Sequence, residues 1–408
     1  MKLAIATMLM LFTMIQFIVN FAGSMGVVVK NQFGASVTAS QFGAAAMFLG
    51  FLFFGIPGGL ILKRRGYRFT ALFATGVAFA GMGVQLVSGI VASFPVYVFG
   101  AFVSGVSACL LNLVVNPMLN VLGGGGKKGN QLILIGCTLN IIGGMLAPLL
   151  TGLLVGGDIE TAKVMDVAPM LVTAMAIYLT AFTVVWFVKI PEPGLEAAGA
   201  PAESVFAAVK DAMRYRNLAF GVLAVFLYEV IESGIPNMAN LYMSPIKEVG
   251  PAVAGTVVSG YWLAMAVGCG IGGIVGSKVS ARTMMICCSL LGVALLAMAI
   301  NVPYELVRVF SMTVPKSMIF AALCGFATSI MWSSIFNLAV EGLGNRVEIA
   351  SGIFMTMVCG GMLLPLQGLL ADKVGILNSY YLTIALFLYL FLYAAVLSRP
   401  QARRVVVG

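Results

Sequence analysis

Two acidic residues lie inside a long apolar stretch, in the run FLYEVIESGIPNMANLY, where a charged side chain is costly. Glu229 and Glu232 are three residues apart, so a helix would project them from neighbouring positions of one face. No lysine or arginine is expected at the same depth to neutralise them. A carboxyl group in such surroundings can bind and release a proton, or it can stay protonated and hydrogen-bonded for packing alone. The spacing predicts reversible proton binding at Glu232, with Glu229 in a supporting role.

Amide side chains are the second group with chemistry to offer, because they also fall within apolar stretches. An amide donates and accepts hydrogen bonds, which suits a neutral solute with several hydroxyl groups. An indole can pack on the C–H face of the same solute. The predicted substrate-binding set is Asn20, Asn112, Asn116, Asn140, Asn237, Trp332 and Asn337, of which Asn112, Asn116, Asn140 and Asn337 are expected to line one central cavity. The alternative is that the amides join helices and the aromatic ring belongs to the core.

Composition indicates where these residues must lie. Hydrophobic residues make up 61% of the 408 residues and charged residues only 9%, against about 25% charged in an average soluble protein. This balance predicts an all-α membrane protein. The sequence has no histidine, which removes imidazole-based proton relays, zinc and haem ligands, and histidine-activated nucleophiles. The seven cysteines lie in apolar runs and do not suggest a disulfide framework. We expect neither a metal nor a cofactor.

Hydrophobic stretches of about 20 residues, the length that crosses a bilayer, occur repeatedly along the chain. The first is too long for the core of a signal peptide, so we interpret it as a span. Gly234 and Pro236 are expected to interrupt the seventh span, and Pro117 to loosen the fourth. The twelve predicted transmembrane helices are 3–29, 38–62, 69–93, 95–122, 131–155, 168–190, 217–243, 252–276, 283–302, 315–341, 349–371 and 377–397.

Basic residues predict the orientation of these spans. With both termini in the cytoplasm, 17 of the 23 lysines and arginines lie inside and six outside. The cluster Lys63, Arg64 and Arg68, between the second and third spans, is then cytoplasmic. This bias also explains the net charge of +9, so a lipid bilayer is the expected surrounding and no nucleic acid partner is required.

The two halves of the chain repeat one another. GGMLAPL at 143–149 recurs 217 residues later as GGMLLPL at 360–366. Two further matches between the halves have similar offsets of 214 and 221 residues. The predicted division is a six-helix half at 1–190, a cytoplasmic linker at 191–216 and a second six-helix half at 217–408. Such a 6+6 pseudo-repeat is the layout of the major facilitator fold, in which solutes bind near the membrane midplane between the halves.

Several segments together resemble the fucose/glucose/galactose–proton symporter family of the major facilitator superfamily, over nearly the whole chain. The matching features are Asn116-Pro117 in span 4, Asn140 and Gly143 in span 5, Tyr228 and Glu232 in span 7, the run 329–344 in span 10, and Lys63-Arg64. The resemblance implies proton-coupled symport of a sugar by alternating access in a bacterial inner membrane. It also implies a gating loop at Lys63, Arg64 and Arg68, and we expect a monomer.

The chain departs from this family at three positions. The acidic residue that the family carries in span 1 falls near Gly23 or Ser24, and the carboxylate or amide before the span-4 proline is Asn112. The family's Gly-Arg in span 8 reads Gly268-Cys269. Glu232 and Glu229 are therefore the remaining candidates for coupling transport to a proton.

Other functions stay open at this point. The same fold could carry a different small solute, such as an organic anion or another metabolite, and could be coupled to sodium or to no ion. No basic residue is expected mid-span to bind an anion, which favours a neutral solute. An intramembrane protease or acyltransferase would need histidine or a metal set that the sequence lacks, so we expect no enzyme. A non-transporting sensor would be expected to carry an added soluble domain.

Overall fold

A computed structural model describes residues 2–123, 126–155, 162–188, 205–275, 278–343 and 347–399. Within these residues, twelve helical segments are long and apolar enough to cross a membrane. The prediction of an all-α membrane protein with twelve transmembrane helices is therefore confirmed. The glycines and the linker residues predicted at 124–125 and 191–204 lie outside the described residues.

The first six spans are built from seven helices and a short 3₁₀ turn. They are α1 (Lys2–Ser24), α2 (Gly26–Gln32), α3 (Val37–Ser40), α4 (Phe42–Ile90), α5 (Phe94–Leu122), α6 (Gly126–Val155), the 3₁₀ turn Val164–Val167 and α7 (Ala168–Phe187). The short α3 lies in the connection between spans 1 and 2, where the Ser36 hydroxyl accepts a hydrogen bond from the Ala39 N–H and so caps the helix.

The last six spans follow a short helix in the predicted linker. The elements are α8 (Val205–Ala212), α9 (Arg216–Met243), α10 (Gly250–Val275), α11 (Ala281–Asn301), β1 (Leu306–Val309), β2 (Met312–Pro315), α12 (Lys316–Thr328), α13 (Met331–Val340), α14 (Val347–Met357), the 3₁₀ segment Val358–Leu363, α15 (Leu364–Val374), α16 (Ile376–Leu392) and the π-helical turn Tyr393–Leu397.

Two hydrophobic cores hold the bundle together. One is formed almost entirely by spans 1 to 6, and Cys359 and Leu364 join it from span 11. The other is formed by spans 7 to 12, and Val27 and Val37 join it from the first half. Each half therefore has a core of its own, and the two cores exchange a few residues where the halves meet.

Spans 2 and 3 meet at a tight kink that lies within the residues of the predicted gating loop, 63–68. Helix α4 runs from Phe42 to Ile90, and its one non-helical residue is Gly66 at φ +82° and ψ 176°. A glycine can adopt this positive φ without steric penalty, so the chain reverses at a single residue. Lys63, Arg64 and Arg68 belong to the two helix ends on either side of it.

Span 7 is not interrupted, contrary to the expectation from Gly234 and Pro236. Helix α9 continues from Arg216 to Met243 with Pro236 inside it. A proline leaves the carbonyl four residues earlier, that of Glu232, without its helical partner. The Tyr380 hydroxyl of α16 donates to the neighbouring Ile235 carbonyl oxygen at 2.9 Å.

The interruptions lie in spans 10 and 11 instead. Span 10 breaks at Ser329 and Ile330, between α12 and α13. Span 11 contains the 3₁₀ segment Val358–Leu363 between α14 and α15. Gly360 in this segment packs so closely against span 7 that a Cβ there would lie 1.7 Å from the Phe226 carbonyl oxygen. The close approach of two backbones, which only glycine allows, coincides with the change of helix type.

A small β-hairpin connects spans 9 and 10 and was not predicted. Strands β1 and β2 pair antiparallel, with Leu306 opposite Pro315 and Val309 opposite Met312. Phe310 lies at the turn with φ +54° and is 92% exposed. The Lys316 ammonium group pairs with Glu305 at 2.9 Å at the base of the hairpin.

Candidate functional site

A cavity lies between the two halves, lined by spans 1, 2, 5, 7 and 8. The space not filled by protein atoms there is about 290 Å³, a figure that includes its opening to solvent. Four polar side chains and two aromatic rings contribute to its wall, and the rest is apolar. The lining residues are Val19, Asn20, Ser24, Ala44, Phe48, Pro148, Ser233, Pro236, Asn237, Val258 and Trp262.

Asn20 and Asn237 bring one amide from each half to the cavity wall. The Asn20 amide donates from Nδ2 to the Gly144 carbonyl oxygen at 2.9 Å. The Asn237 amide donates from Nδ2 to Gln41 Oε1 at 3.2 Å, across the boundary between the halves. Within the described residues neither of the two amide oxygens accepts a hydrogen bond. Both side chains are therefore held in place and keep an acceptor for a ligand.

Asn237 also packs against Gly23, one of the two positions near which the resembling family is expected to carry its span-1 acid. A Cβ at Gly23 would lie 2.2 Å from Asn237 Oδ1. Any side chain at Gly23 would therefore displace this amide. The missing span-1 carboxylate and the cavity amide of span 7 are two aspects of one packing arrangement.

Trp262 supplies the largest ring at the cavity. It is 2% exposed, and its ring meets the Tyr261 ring edge-on, with centroids 5.3 Å apart at 87°. The Tyr261 hydroxyl is 3.0 Å from Thr328 Oγ1, which anchors that pair to span 10. The predicted Trp332 instead stacks on Phe336 at 6.0 Å and meets Phe354 edge-on at 5.7 Å. Trp332 is half-buried and does not line this cavity.

Glu232 faces the break in span 10. The Tyr228 hydroxyl lies within hydrogen-bonding reach of the Glu232 carboxyl group and 3.3 Å from the Thr328 carbonyl oxygen. Because a tyrosine hydroxyl has one proton, it can donate to only one of these two acceptors at a time. Cys269 is also close to Glu232 and donates from Sγ to the Ser329 carbonyl oxygen at 3.0 Å. Ser233, the next residue on the helix, lines the cavity.

Glu229 lies one turn nearer the start of span 7 and is 6% exposed. Its carboxyl group is near Cys359, in the 3₁₀ segment of span 11. Among the described residues the ion pairs are Arg282–Glu341 and Lys316–Glu305, so neither intramembrane glutamate is paired with a base there. The two glutamates thus face two different irregular helices.

Among the described side chains, the predicted amides Asn112, Asn140 and Asn337 do not line the cavity. Asn140 donates from Nδ2 to the Phe12 carbonyl oxygen at 2.7 Å, which joins spans 5 and 1. Asn112 donates to the Ala108 carbonyl oxygen of its own helix at 3.1 Å. Asn337 is exposed. The side chain of Asn116 lies outside the described residues. The structure brings Asn20 and Asn237 together, and a substrate role for the other four stays a prediction.

The basic residues near Gly66 have separate positions. The Arg68 guanidinium donates to the Trp186 carbonyl oxygen and so ties span 3 to span 6 within one half. Arg64 is exposed, and the side chain of Lys63 lies outside the described residues. At the corresponding place of the second half, Arg282 is 3.8 Å from Glu341. A gating role for this cluster stays a prediction.

The halves touch closely on one side of the bundle. We call the side where α1 begins and α16 ends the termini side, and the opposite side the far side. On the far side, Asp372 in α15 accepts from the Val37 N–H at 2.9 Å, the Thr38 N–H at 2.8 Å and the Thr38 hydroxyl at 2.6 Å. Asn240 donates to the Ser24 carbonyl oxygen at 3.4 Å.

Spans 5 and 8 add a second contact on the far side. Gly255 lies so close to span 5 that a Cβ there would be 2.3 Å from the Pro148 carbonyl oxygen. The Ser259 hydroxyl donates to the Met145 carbonyl oxygen at 2.9 Å. These contacts close the far end of the cavity.

The termini side presents exposed polar groups. Ser333 and Asn337 are one turn apart on α13 and both are exposed. A polar side chain is costly against lipid and is tolerated where it meets a water-filled space. Contacts between the halves close the far side, whereas these exposed polar side chains lie toward the termini side.

Sequence reasoning missed several residues of the site. Ser24, Phe48, Ser233 and Trp262 line the cavity, and Gln41 holds Asn237. Gln41 is an amide within the apolar stretch 38–62, so the argument applied to the asparagines would have identified it. The serines and aromatic rings have no comparable signal, because both residue types are common in helix packing.

Fold and cavity together define a polytopic membrane protein with a cavity between two six-helix units. A match to the Major Facilitator Superfamily spans residues 5–364, and the chain belongs to this superfamily. The superfamily consists of transporters rather than enzymes, so the chain is a multi-pass membrane protein of a transporter family.

Curated relatives are similar over nearly the whole chain. A glucose/galactose transporter of Brucella abortus biovar 1 is 24% identical over 406 residues, covering 97% of this chain and 94% of that protein. The L-fucose-proton symporter of Escherichia coli K12 is 23% identical, covering 91% and 89%. The resemblance drawn from the sequence is thereby confirmed. A partially occluded inward-open structure of the E. coli xylose transporter has a TM-score of 0.70 at 12% identity, covering 97% and 99%, which supports the fold.

Proposed function

We propose that this protein is a secondary active transporter of a neutral sugar or sugar-like solute, working by alternating access. The observation that carries this proposal is the cavity between the halves, whose wall includes Asn20 from the first half and Asn237 and Trp262 from the second. Amides match hydroxyl groups, and a large aromatic ring matches the C–H face of a sugar. The names of the curated relatives, which include glucose, galactose and fucose, support the same substrate class.

The cavity favours a neutral solute over an organic anion. Among the residues that line it, none is basic or acidic. An anion would lose its hydration there without gaining a cationic partner. Transport of a different small metabolite is the alternative, and a solute panel separates the two.

We propose a proton as the coupling ion and Glu232 as the group that carries it. An ionised Glu232 carboxylate attracts the Tyr228 hydroxyl proton more strongly than a neutral carbonyl does. A protonated Glu232 releases the hydroxyl to the Thr328 carbonyl oxygen at the break in span 10. Proton binding would thus change a hydrogen bond at an irregular helix next to the cavity. Sodium coupling is the alternative.

For the orientation, we propose that the termini side is cytoplasmic. The 17 to 6 distribution of basic residues supports this assignment. The described conformation is then inward-facing, and the far-side contacts must separate in the outward-facing state.

Uptake into liposomes tests the proposal. The purified full chain would be offered radiolabelled D-glucose, D-galactose, L-fucose and D-xylose, together with charged sugar acids, under an imposed pH gradient or sodium gradient. We expect concentrative uptake of at least one neutral sugar with the pH gradient alone. Uptake of sugar acids only would contradict the substrate class, and uptake that requires sodium would contradict the coupling ion. Empty liposomes are the control.

A further inference from the structure

We propose that Gln41 is a specificity-determining residue, which hydrogen-bonds one hydroxyl group of the solute at the far-side end of the cavity. The inference rests on the proposed function, since it assumes a hydroxylated solute in this cavity. It adds a residue from span 2 to a site otherwise built from asparagines and Trp262.

The first observation is an unpaired buried amide. Gln41 is 1% exposed, and its Nε2 group has no hydrogen-bond partner within the described residues. Buried polar groups are nearly always paired, because an unpaired one loses its bonds to water without replacement. One end of this amide is therefore left for a partner that is not part of the protein.

The second observation is the position of the amide. Gln41 Oε1 accepts from Asn237 Nδ2 at 3.2 Å, and Asn237 lines the cavity. Ala44, nearly one helical turn further along span 2, lines the cavity as well. Ser24 also lines the cavity, and a Cβ at Gly26, two residues on, would lie 3.5 Å from Gln41 Nε2. Gln41 itself lies directly behind Asn237 rather than in the cavity wall, so its unpaired end is between the cavity and the far-side closure.

The chemistry of a hydroxyl group fits this amide in either orientation of its plane. A hydroxyl accepts from an N–H and also donates to a carbonyl oxygen. A neutral polyhydroxylated solute can therefore satisfy whichever end of Gln41 the Asn237 amide leaves free. A solute without hydroxyl groups cannot do so.

The bond between Gln41 and Asn237 also links solute binding at Gln41 to the contact between the two halves. Gln41 belongs to the first half and Asn237 to the second, so the side chain that binds the solute also joins the halves. A solute that orders the Gln41 amide prepares it for Asn237, which links solute binding to closure of the far side.

Gln85 offers a matched control. It is also buried, at 2% exposed, and it also has one unpaired amide atom, Oε1. Its Nε2 donates to Ser104 Oγ at 2.9 Å, within the first half and away from the cavity lining. Changes at both positions remove a buried amide, but only the change at Gln41 removes one beside the cavity.

The experiment measures equilibrium binding of the neutral sugar that wild type transports best, together with its complete set of monodeoxy analogues. The proteins are full-length wild type, Gln41→Met, Gln41→Glu and Gln85→Met. Gln41→Glu keeps an oxygen for Asn237 and provides a second variant if Gln41→Met folds poorly. Each combination of variant and analogue forms a double-mutant cycle.

We expect Gln41→Met to weaken binding of the parent sugar by about 5- to 150-fold, the range for leaving one hydroxyl unpaired. One monodeoxy analogue should bind wild type and Gln41→Met equally, because it lacks the hydroxyl concerned. Gln41→Glu should change the relative affinity for the same monodeoxy analogue and for no other. Gln85→Met should leave the ranking of analogues unchanged.

A uniform loss of affinity for all analogues at Gln41 would overturn the inference, since it would indicate packing alone. Unchanged affinity would overturn it as well. Both results leave the proposed function intact. Wild type that binds none of the neutral sugars would instead overturn the proposed function, and the inference with it.

Discussion

At the scale of single residues, the protein differs from its resembling family in where its intramembrane carboxyl groups lie. Span 1 has Gly23 and Ser24 near the position at which the resemblance places an acid, and the Asn237 amide fills the space beside Gly23. The remaining carboxyl groups in the middle of a span, Glu229 and Glu232, belong to the second half. If proton coupling occurs, its acidic group acts from span 7 and its first protein partner is Tyr228.

Replacing Glu232 by Gln should separate exchange from accumulation. Glutamine keeps the shape of the side chain and cannot bind and release a proton. We expect unchanged or modestly changed exchange of sugar across liposome membranes, with loss of accumulation driven by a pH gradient. Glu248→Gln, at an exposed position between spans 7 and 8, is the matched control and should behave as wild type. Full gradient-driven uptake by Glu232→Gln would show that coupling lies elsewhere.

Replacing Tyr228 by Phe should weaken coupling without abolishing it. The change removes the hydroxyl that lies between Glu232 and the Thr328 carbonyl oxygen and leaves the buried ring. Loss of one such bond is worth about 1 kcal/mol, so accumulation should fall several-fold while exchange continues. Tyr389→Phe, which removes a hydroxyl bonded to the Phe220 carbonyl oxygen 3.1 Å away, is the control. Equal effects of the two variants would contradict a special role for Tyr228.

At the scale of elements, the irregular segments of spans 10 and 11 are the parts next to the glutamates. Tyr228, one turn before Glu232, contacts the break in span 10 at the Thr328 carbonyl oxygen. Phe226, one turn before Glu229, contacts the 3₁₀ segment at Gly360. Span 7 stays continuous despite Pro236. The breaks in regular α-helix therefore lie in the helices opposite the carboxyl groups, while the helix that carries them stays continuous.

Gly360→Ala should perturb the contact between spans 7 and 11. A Cβ at Gly360 would lie 1.7 Å from the Phe226 carbonyl oxygen, so one of the two backbones has to move. Overpacking of this kind typically costs about 1–3 kcal/mol. We expect a lower thermal midpoint in detergent and reduced uptake. Gly260→Ala is the control, because a Cβ there meets no heavy atom within 4 Å. Equal stability of the two variants would contradict the tight contact.

At the scale of the whole molecule, the halves are joined by different chemistry at different depths. The Gln41–Asn237 amide pair lies at the cavity, and the carboxylate of Asp372 binds the start of α3 further toward the far side. Gly368 supports this outer contact, since a Cβ there would lie 2.8 Å from the Thr38 Cα. Each of these contacts has to open before the cavity can face the far side.

Asp372→Asn should shift the population toward the far-side-open state. The amide keeps one acceptor oxygen and turns an N–H₂ group toward backbone N–H donors. For an exposed charged contact the expected change in the equilibrium constant is about 2- to 10-fold. Distances between spin labels at positions 30 and 247, one in each half on the far side, should lengthen. Glu305→Gln removes an exposed ion pair within one half and should leave them unchanged. If the two variants gave the same distances, the contact of Asp372 with the start of α3 would not hold the far side closed.

Labelling of a cysteine at position 210 checks the orientation. Lys210 lies in α8 and is exposed. With the termini side in the cytoplasm, a membrane-impermeant thiol reagent should modify Lys210→Cys in broken cells and not in intact ones. A cysteine at Lys247, on the far side, should react in intact cells. The reverse pattern would overturn the orientation, although not the fold.

The sequence by itself determined the membrane class, the twelve spans, the internal repeat and the family resemblance. These follow from hydropathy and from local motifs, which act over about 20 residues and need no knowledge of neighbours. The carboxyl groups of Glu229 and Glu232 were evident for the same reason. Asn20 and Asn237 were selected as intramembrane amides, but their meeting at one cavity could not be read from residue type.

Only the tertiary structure decided how helices meet. The continuity of span 7 through Pro236 and the breaks in spans 10 and 11 depend on contacts with distant segments, such as Tyr380 with Ile235 and Gly360 with Phe226. The same holds for the contact of Asp372 with α3, more than 300 residues earlier in the chain. Local propensity leaves these outcomes open, because the free energy that selects among them comes from packing and hydrogen bonding between spans.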